Sequence, residues 1–228
     1  MVTYPLMSPT DKHKKPLPFI LLAAGVSGIL ASIGDFIVTS ILGSLYPGYS
    51  FIHRSESYLG TSVSPVAVYM NAWGVVFCFL LIFFAWGLRT TIFRYEKWQT
   101  RTVVLVVLYG LGEGAGSGLF PYNHVNNVLT LSGKLHSLFG ALGGMAIVTI
   151  PFAGIKIFSK ESFPLLHAYS KLVLIAGLIL TVVFLVSDRD VISYKGLWQR
   201  VYLFNYHLYL SVLALVMLKQ KTITPVNR

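Results

Sequence analysis

The sequence predicts an all-α protein, a polytopic bundle of six transmembrane helices with both termini cytoplasmic. Three observations carry this. Apolar residues make up 55% of the 228 and charged residues only 11%, with a mean hydropathy of +0.69. A soluble domain carries about 25% charged residues, so too few charges are present to clothe a water-exposed surface. Runs of roughly 20 apolar residues, the length that crosses a hydrocarbon core of about 30 Å, recur six times. Lysine and arginine fall mainly in alternate gaps between those runs, which is the pattern that fixes orientation in a bilayer.

The runs cover residues 18–46, 66–88, 102–122, 132–157, 168–187 and 197–218, giving a cytoplasmic segment 1–17, a membrane domain 18–218 and a cytoplasmic tail 219–228. Lys12, Lys14 and Lys15 precede the first run as they would a signal peptide. That run is far longer than the roughly 7–15 apolar residues of a signal core, so it reads as a retained span. The first and fourth runs are long enough to tilt. In the third, Gly110-Leu-Gly-Glu-Gly-Ala-Gly-Ser-Gly118 places glycine at every second position. This is read as a helix in close backbone contact with its neighbours or one locally unwound inside the bundle. The fifth run, Leu172–Ser187, is almost wholly aliphatic and is expected to face lipid.

Orientation follows from counting. With the N-terminus inside, Lys12, Lys14, Lys15, Arg89, Arg94, Lys97, Arg101, Lys156, Lys160, Lys171, Lys219, Lys221 and Arg228 are cytoplasmic, and only Arg54, Lys134, Arg189, Lys195 and Arg200 lie outside. The expected location is the plasma membrane, or the inner membrane of a bacterium. A net charge of +10 invites a nucleic-acid reading, but that needs the positives clustered on one face. Here they are interleaved with spans, so no nucleic-acid partner is expected. Cys78, alone in the chain, can form no intramolecular disulfide and reads as a packing residue.

Ionisable groups at bilayer depth cost about 2.5–3.5 kcal/mol each on insertion scales, so each needs a partner or a purpose. Counted along the spans, Asp35, Asn71, Glu113, Lys134, His136, Arg200, Asn205 and His207 all fall at or above the midplane on the outer side. The inner half reads as a dry aliphatic plug. Helical spacing groups Gly25, Gly28, Ser32, Asp35 and Thr39 on one stripe, Gly133, His136, Gly140 and Gly144 on another, and Arg200, Phe204, His207 and Ser211 on a third, with Asn205 to one side. A purely structural account pairs Asp35 or Glu113 with Arg200 or Lys134, lets Lys134 snorkel outward, and makes His136 a hydrogen-bonded packing residue. Two carboxylates, a lysine, an arginine, two histidines and two asparagines at similar depth exceed what such a network needs, and point to a cavity.

Ser55-Glu56-Ser57-Tyr58-Leu59-Gly60 with Ser64-Pro65 and Asn71, then Gly118-Leu-Phe-Pro121 with His136, then Gly196-Leu-Trp-Gln-Arg200, stand in that order along the chain. Together they resemble the three signatures of DUF998, a family of small multi-pass membrane proteins of unknown function. The resemblance spans residues 20–218. It implies the fold and marks Glu56, Asn71, Pro121, His136, Gln199 and Arg200, without implying an activity. One departure stands out: the pattern leads us to expect an acid soon after the Phe-Pro step, where this chain has Tyr122-Asn123.

Three functions are open to these residues. The first is binding or transport of a small amphiphilic or anionic ligand in an outward-facing cavity made by Asp35, Glu56, Asn71, Glu113, His136, Arg200, Asn205 and His207. Arg200 and Lys134 would hold the anion, Asp35 or Glu113 would couple occupancy to protonation, and membrane lipids would surround the bundle. No inverted repeat is visible to support alternating access, an objection that a homo-oligomer would ease. The second is an intramembrane lipid or amide hydrolase with Glu113, His136 and His207 as catalytic candidates. If it is metal-dependent, His136, His207 and a carboxylate suit zinc, and Glu113 suits a general base; the spacing contains no His-Glu-x-x-His. Serine catalysis at Gly116-Ser117-Gly118 lacks the strand-to-helix elbow. The third is a structural or assembly role.

Overall fold

The computed structural model describes residues 18–91, 97–126, 128–189 and 191–219. The segment 1–17, the tail beyond Lys219 and Arg94 lie outside the described residues, and with them the charges of Lys12, Lys14, Lys15, Lys221 and Arg228. Six helices are long and apolar enough to cross a membrane. They are α1 (Phe19–Leu45), α2 (Ala67–Thr91), α3 (Lys97–Leu119), α4 (Leu131–Ile157), α5 (Pro164–Asp188) and α6 (Lys195–Lys219).

Each helix packs on its chain neighbours and α6 returns to α1, so the six close into a ring. Lipid offers no hydrophobic reward for helix association, so close packing of small residues must supply it. Gly25 of α1 lies against Leu218 of α6, Gly28 against Phe84 of α2, and Gly87 against Met217 and Ala24. These contacts place the start of α1 and the end of α6 at one end of the ring, here the termini end. At the other end the segment between α1 and α2 folds back over the bundle through a short 3₁₀ turn, Glu56–Gly60. This is the capped end. It also carries a small hairpin between α3 and α4, with β1 (His124–Val125) antiparallel to β2 (Val128–Leu129).

Local sequence sets the boundaries. Thr130 caps α4 by accepting from the Gly133 N–H at 3.1 Å, satisfying one orphan donor of its first turn. Pro164 opens α5, where its missing N–H costs nothing. The outward faces are apolar, and α5 turns Leu172, Ile175, Leu178, Ile179, Val182 and Leu185 outward, as its aliphatic run predicts.

The third helix departs most from the sequence reading. It starts at Lys97 rather than 102, because Trp98 and Arg101 stack (4.3 Å from guanidinium to ring centroid) as an interfacial turn below the apolar run. The run Gly110–Gly116 is π-helical, so it neither unwinds nor keeps α geometry. Its alternate glycines serve two neighbours. Gly114 and Gly118 touch the backbone of α2 at Gly74 and Asn71, while Gly112 and Gly116 lie against Gly143 and Phe139 of α4. A Cβ on Gly112 would be 2.6 Å from the Gly143 nitrogen and from the Phe139 carbonyl oxygen. Only glycine allows two backbones to come that close.

The core between Leu21 and Met217 at the termini end is largely apolar, with Leu81, Phe84, Leu88, Ile150, Leu213 and Met217 fully or almost fully buried. Its polar exceptions are hydroxyls that bond locally, such as Ser170, which donates to the Leu166 carbonyl and shares a 2.7 Å bond with Tyr209. The expected greasy half is present.

Candidate functional site

Tyr109, Glu113 and Ser117 are four residues apart in α3 and point between the two glycine-packed faces, into a cavity of ≈ 60 Å³ under the cap. Asp35 of α1, Glu56 and Ser57 of the cap, Asn71 and Trp73 of α2, His136 of α4 and Gln199 of α6 complete its polar lining, with Met70, Phe77 and Leu203 among the apolar members. At roughly 10–15 Å³ per water by the same measure, the space holds a few waters or one small head group.

Each polar group is held differently. Asp35 accepts from the Trp73 indole N–H at 2.8 Å. Behind it, the His207 Nδ1 is 3.8 Å from the other Asp35 oxygen, and the His207 Nε2 shares a 2.6 Å hydrogen bond with the Tyr109 hydroxyl. Asp35, His207 and Tyr109 therefore stand in a row from one wall of the cavity through the core to another, hydrogen-bonded between His207 and Tyr109 and beyond hydrogen-bond distance between His207 and Asp35. Glu56 is nearly enclosed. Its backbone N–H donates to the Gln199 side-chain oxygen at 2.7 Å, Thr39 donates to its carboxylate at 3.4 Å, and the Arg200 Nε is 3.5 Å away. Burial pushes the Glu56 carboxyl up to about 8, with the nearby Asp35 charge adding to it and Arg200 opposing. Glu113 differs from both. Its Oε2 faces Gly140, where an added Cβ would stand 3.4 Å away, so glycine keeps the carboxylate's surroundings open.

His136 is fixed at both ring nitrogens. Nδ1 lies 3.1 Å from the Ser117 carbonyl oxygen and 3.0 Å from that of Phe120. Carbonyl oxygens only accept, so in the neutral ring the proton resides on Nδ1 and the lone pair on Nε2. That lone pair faces the Ser57 hydroxyl at 3.0 Å.

Of the eight residues the sequence nominates for ligand binding, the fold brings Asp35, Glu56, Asn71, Glu113 and His136 to the cavity wall. Arg200, Asn205 and His207 are placed elsewhere. Arg200 donates through Nη1 to the carbonyls of Phe51, Arg54 and Gly196 and through Nη2 to the Tyr49 hydroxyl, which rivets the cap onto α6. Asn205 donates to the Val173 carbonyl and fastens α6 to α5. The stripe expected to join Arg200, Phe204, His207 and Ser211 straddles a boundary, with Phe204 58% exposed and His207 2%. A three-residue step turns an α-helix by about 300°, so spacing alone leaves a face roughly 60° wide that can cross from core to lipid. Lys134 is exposed, as snorkelling predicts. Among the described residues no three His, Cys, Asp or Glu side chains gather as a metal set; His136 and His207, the zinc candidates, answer to different partners.

Sequence reasoning passed over Ser57, Trp73 and Tyr109 as site members and weighed Ser117 only as a catalytic serine. The four-residue spacing of Tyr109, Glu113 and Ser117 was the available signal for two of them. Ser57 reaches the cavity only because the cap folds inward, which no local pattern announces.

A family model described as a protein of unknown function, DUF998, matches residues 29–216. The chain belongs to the DUF998 family. No curated protein and no solved structure matches it. The structure gives the three DUF998-like signatures a common purpose. Gln199 and Arg200 of the third hold the first through Glu56 and the cap carbonyls, and His136 joins the second to Ser57 of the first. Tyr122-Asn123 stands where an acid was expected, and the Asn123 side-chain oxygen accepts from the Ser62 N–H at 2.8 Å. In this DUF998 protein that bond ties the cap to the hairpin segment.

Proposed function

We propose that this integral membrane protein binds a small organic ammonium group, the cationic head of an amphiphile, in the cavity under its cap. The observation that carries the proposal is the lining. Carboxyl groups from three separate elements meet there beside Trp73, Phe77 and Tyr109; Glu56 faces Arg200, which leaves Asp35 and Glu113 to meet a cation, and among the described residues no lysine or arginine lines the wall. A carboxylate supplies counter-charge, and aromatic faces attract a desolvated cation by about 2 kcal/mol or more. The chemistry opposes an anionic ligand held by Arg200 and Lys134, because Arg200 is committed to the cap and Lys134 is not part of the lining. By the charge asymmetry of the spans, the cavity faces the outer leaflet. Six helices in one ring with no internal repeat favour holding a ligand over alternating access.

Thermal unfolding of the protein in lipid nanodiscs tests this. Choline or ethanolamine should raise the midpoint, and Glu113→Gln should abolish the rise while leaving the unliganded midpoint near that of the wild type. Stabilisation by alkyl phosphate and not by the ammonium compounds would refute the reading.

A further inference from the structure

We infer that Ser57 and His136 form a nucleophile–base pair for acyl transfer, acting on an ester whose alcohol carries the ammonium group proposed above. The substrate class rests on that reading, whereas the dyad stands on geometry of its own. A serine hydroxyl becomes a nucleophile when a base within about 2.6–3.2 Å accepts its proton and a third group orients the base. Ser57 Oγ and His136 Nε2 are 3.0 Å apart. The carbonyls of Ser117 and Phe120 take the place that an aspartate usually holds, fixing the ring and leaving the lone pair on the nitrogen that faces the serine. Both side chains line the same cavity as the three carboxylates, so an ester whose cationic end is held by Asp35 or Glu113 has its carbonyl within the same small space as Oγ.

A simple packing role explains this less well. A histidine needs only one bond to be satisfied at each nitrogen, and a hydroxyl on a cap could point anywhere. Here the one hydroxyl bonded to the imidazole is also on the cavity wall, in a half-buried residue reachable from the space.

The chemistry balances without an outside oxidant or metal. The Ser57 proton moves to His136 Nε2 as Oγ bonds to the ester carbon. The carbon–oxygen bond to the alcohol then breaks, and the alcohol leaves with the proton from Nε2. A water from the cavity gives its proton to Nε2 and its oxygen to the acyl carbon. The carboxylic acid departs, and Ser57 regains its proton.

The test uses the whole protein in nanodiscs with an alkyl fluorophosphonate, located by peptide mass spectrometry. The adduct is expected on Ser57, absent in Ser57→Ala, and formed about 100-fold or more slowly in His136→Asn, the usual scale of a lost general base. Asparagine keeps an N–H for the Ser117 and Phe120 carbonyls, so the fold is preserved while the base is removed. Failure to label Ser57 in folded protein, or labelling that His136→Asn leaves unchanged, overturns the dyad. Acylcholine and its uncharged 3,3-dimethylbutyl isostere then separate the two proposals. Preference for acylcholine supports both, whereas equal cleavage of the two, still dependent on Ser57, keeps the dyad and removes the ammonium reading.

Discussion

Glu56 shows how one residue can carry both architecture and chemistry. It is enclosed by the cap it belongs to, tied through its backbone to Gln199, and close to Arg200 through its side chain. Its carboxyl titrates near 8 in the folded protein against 4.5 as a free side chain. A raised carboxyl binds its proton more tightly in the folded state than in the unfolded one. Its stabilising contribution is therefore complete below about pH 4.5 and is lost progressively as pH climbs to about 8. The wild type should accordingly lose thermal stability across that window, and Glu56→Gln, which holds the neutral form permanently, should flatten the loss. Unfolding midpoints measured from about pH 5 to about pH 9 decide it; identical slopes in the two proteins would mean that Glu56 is ionised throughout. The nearness of Asp35, Asn71, Glu113 and His136 was legible in the sequence because each is an expensive group at one depth, whereas Glu56, in the loop between the first two spans, was marked only by the family resemblance. What Arg200 does was not legible, since its partners are backbone carbonyls of a loop 149 residues away in sequence, and carbonyls leave no mark on composition.

Among the elements, α3 makes the site possible. Its glycines face α2 and α4 alternately, which brings two helices to within backbone contact and leaves Tyr109, Glu113 and Ser117 to turn inward. Reading the glycine run as a close-contact helix captured half of this. The π-helical turn was not visible, because it is chosen by the fit of two neighbours and not by the propensity of the segment itself. The glycines are not equivalent, and that supplies a test. A methyl on Gly112 meets backbone atoms of α4 at 2.6 Å, where nothing can yield except the helix as a whole, whereas a methyl on Gly144 meets only the Tyr202 hydroxyl at 3.4 Å. Gly112→Ala should cost about 1–3 kcal/mol, the usual cost of overpacking, and should disturb the cavity through Glu113. Gly144→Ala should be near neutral. Denaturation of the two variants in the same detergent makes the comparison, and an equal cost for both would show that α3 and α4 can slide apart freely.

At the scale of the whole molecule, the six spans were legible because bilayer thickness imposes a length that no local preference overrides, and the described helices differ from the apolar runs mainly where polar interfacial residues extend them. Sidedness is carried by charge. Among the described residues Arg89, Lys97, Arg101, Lys156, Lys160, Lys171 and Lys219 are all at the termini end, with Trp98 and Phe152 forming an aromatic interface beneath Arg101 and Lys156. At the capped end, Lys195 is neutralised by Asp188 at 2.5 Å and Arg200 is absorbed by the cap, so the unbalanced positive charge there is smaller than the residue count implies. Orientation follows the count of lysines and arginines and not the net charge, and by that count the capped end should face away from the cytoplasm. Cys78 is buried in the bundle and is the single cysteine, so replacing it by serine gives a silent background. On that background Ser62→Cys, on the exposed rim of the cap, should react with a membrane-impermeant maleimide added to intact cells. Lys160→Cys, in the exposed connection between α4 and α5, should react only after permeabilisation. The reverse pattern would turn the cavity toward the cytosol, and an ammonium-bearing substrate would then have to be supplied from the inner leaflet.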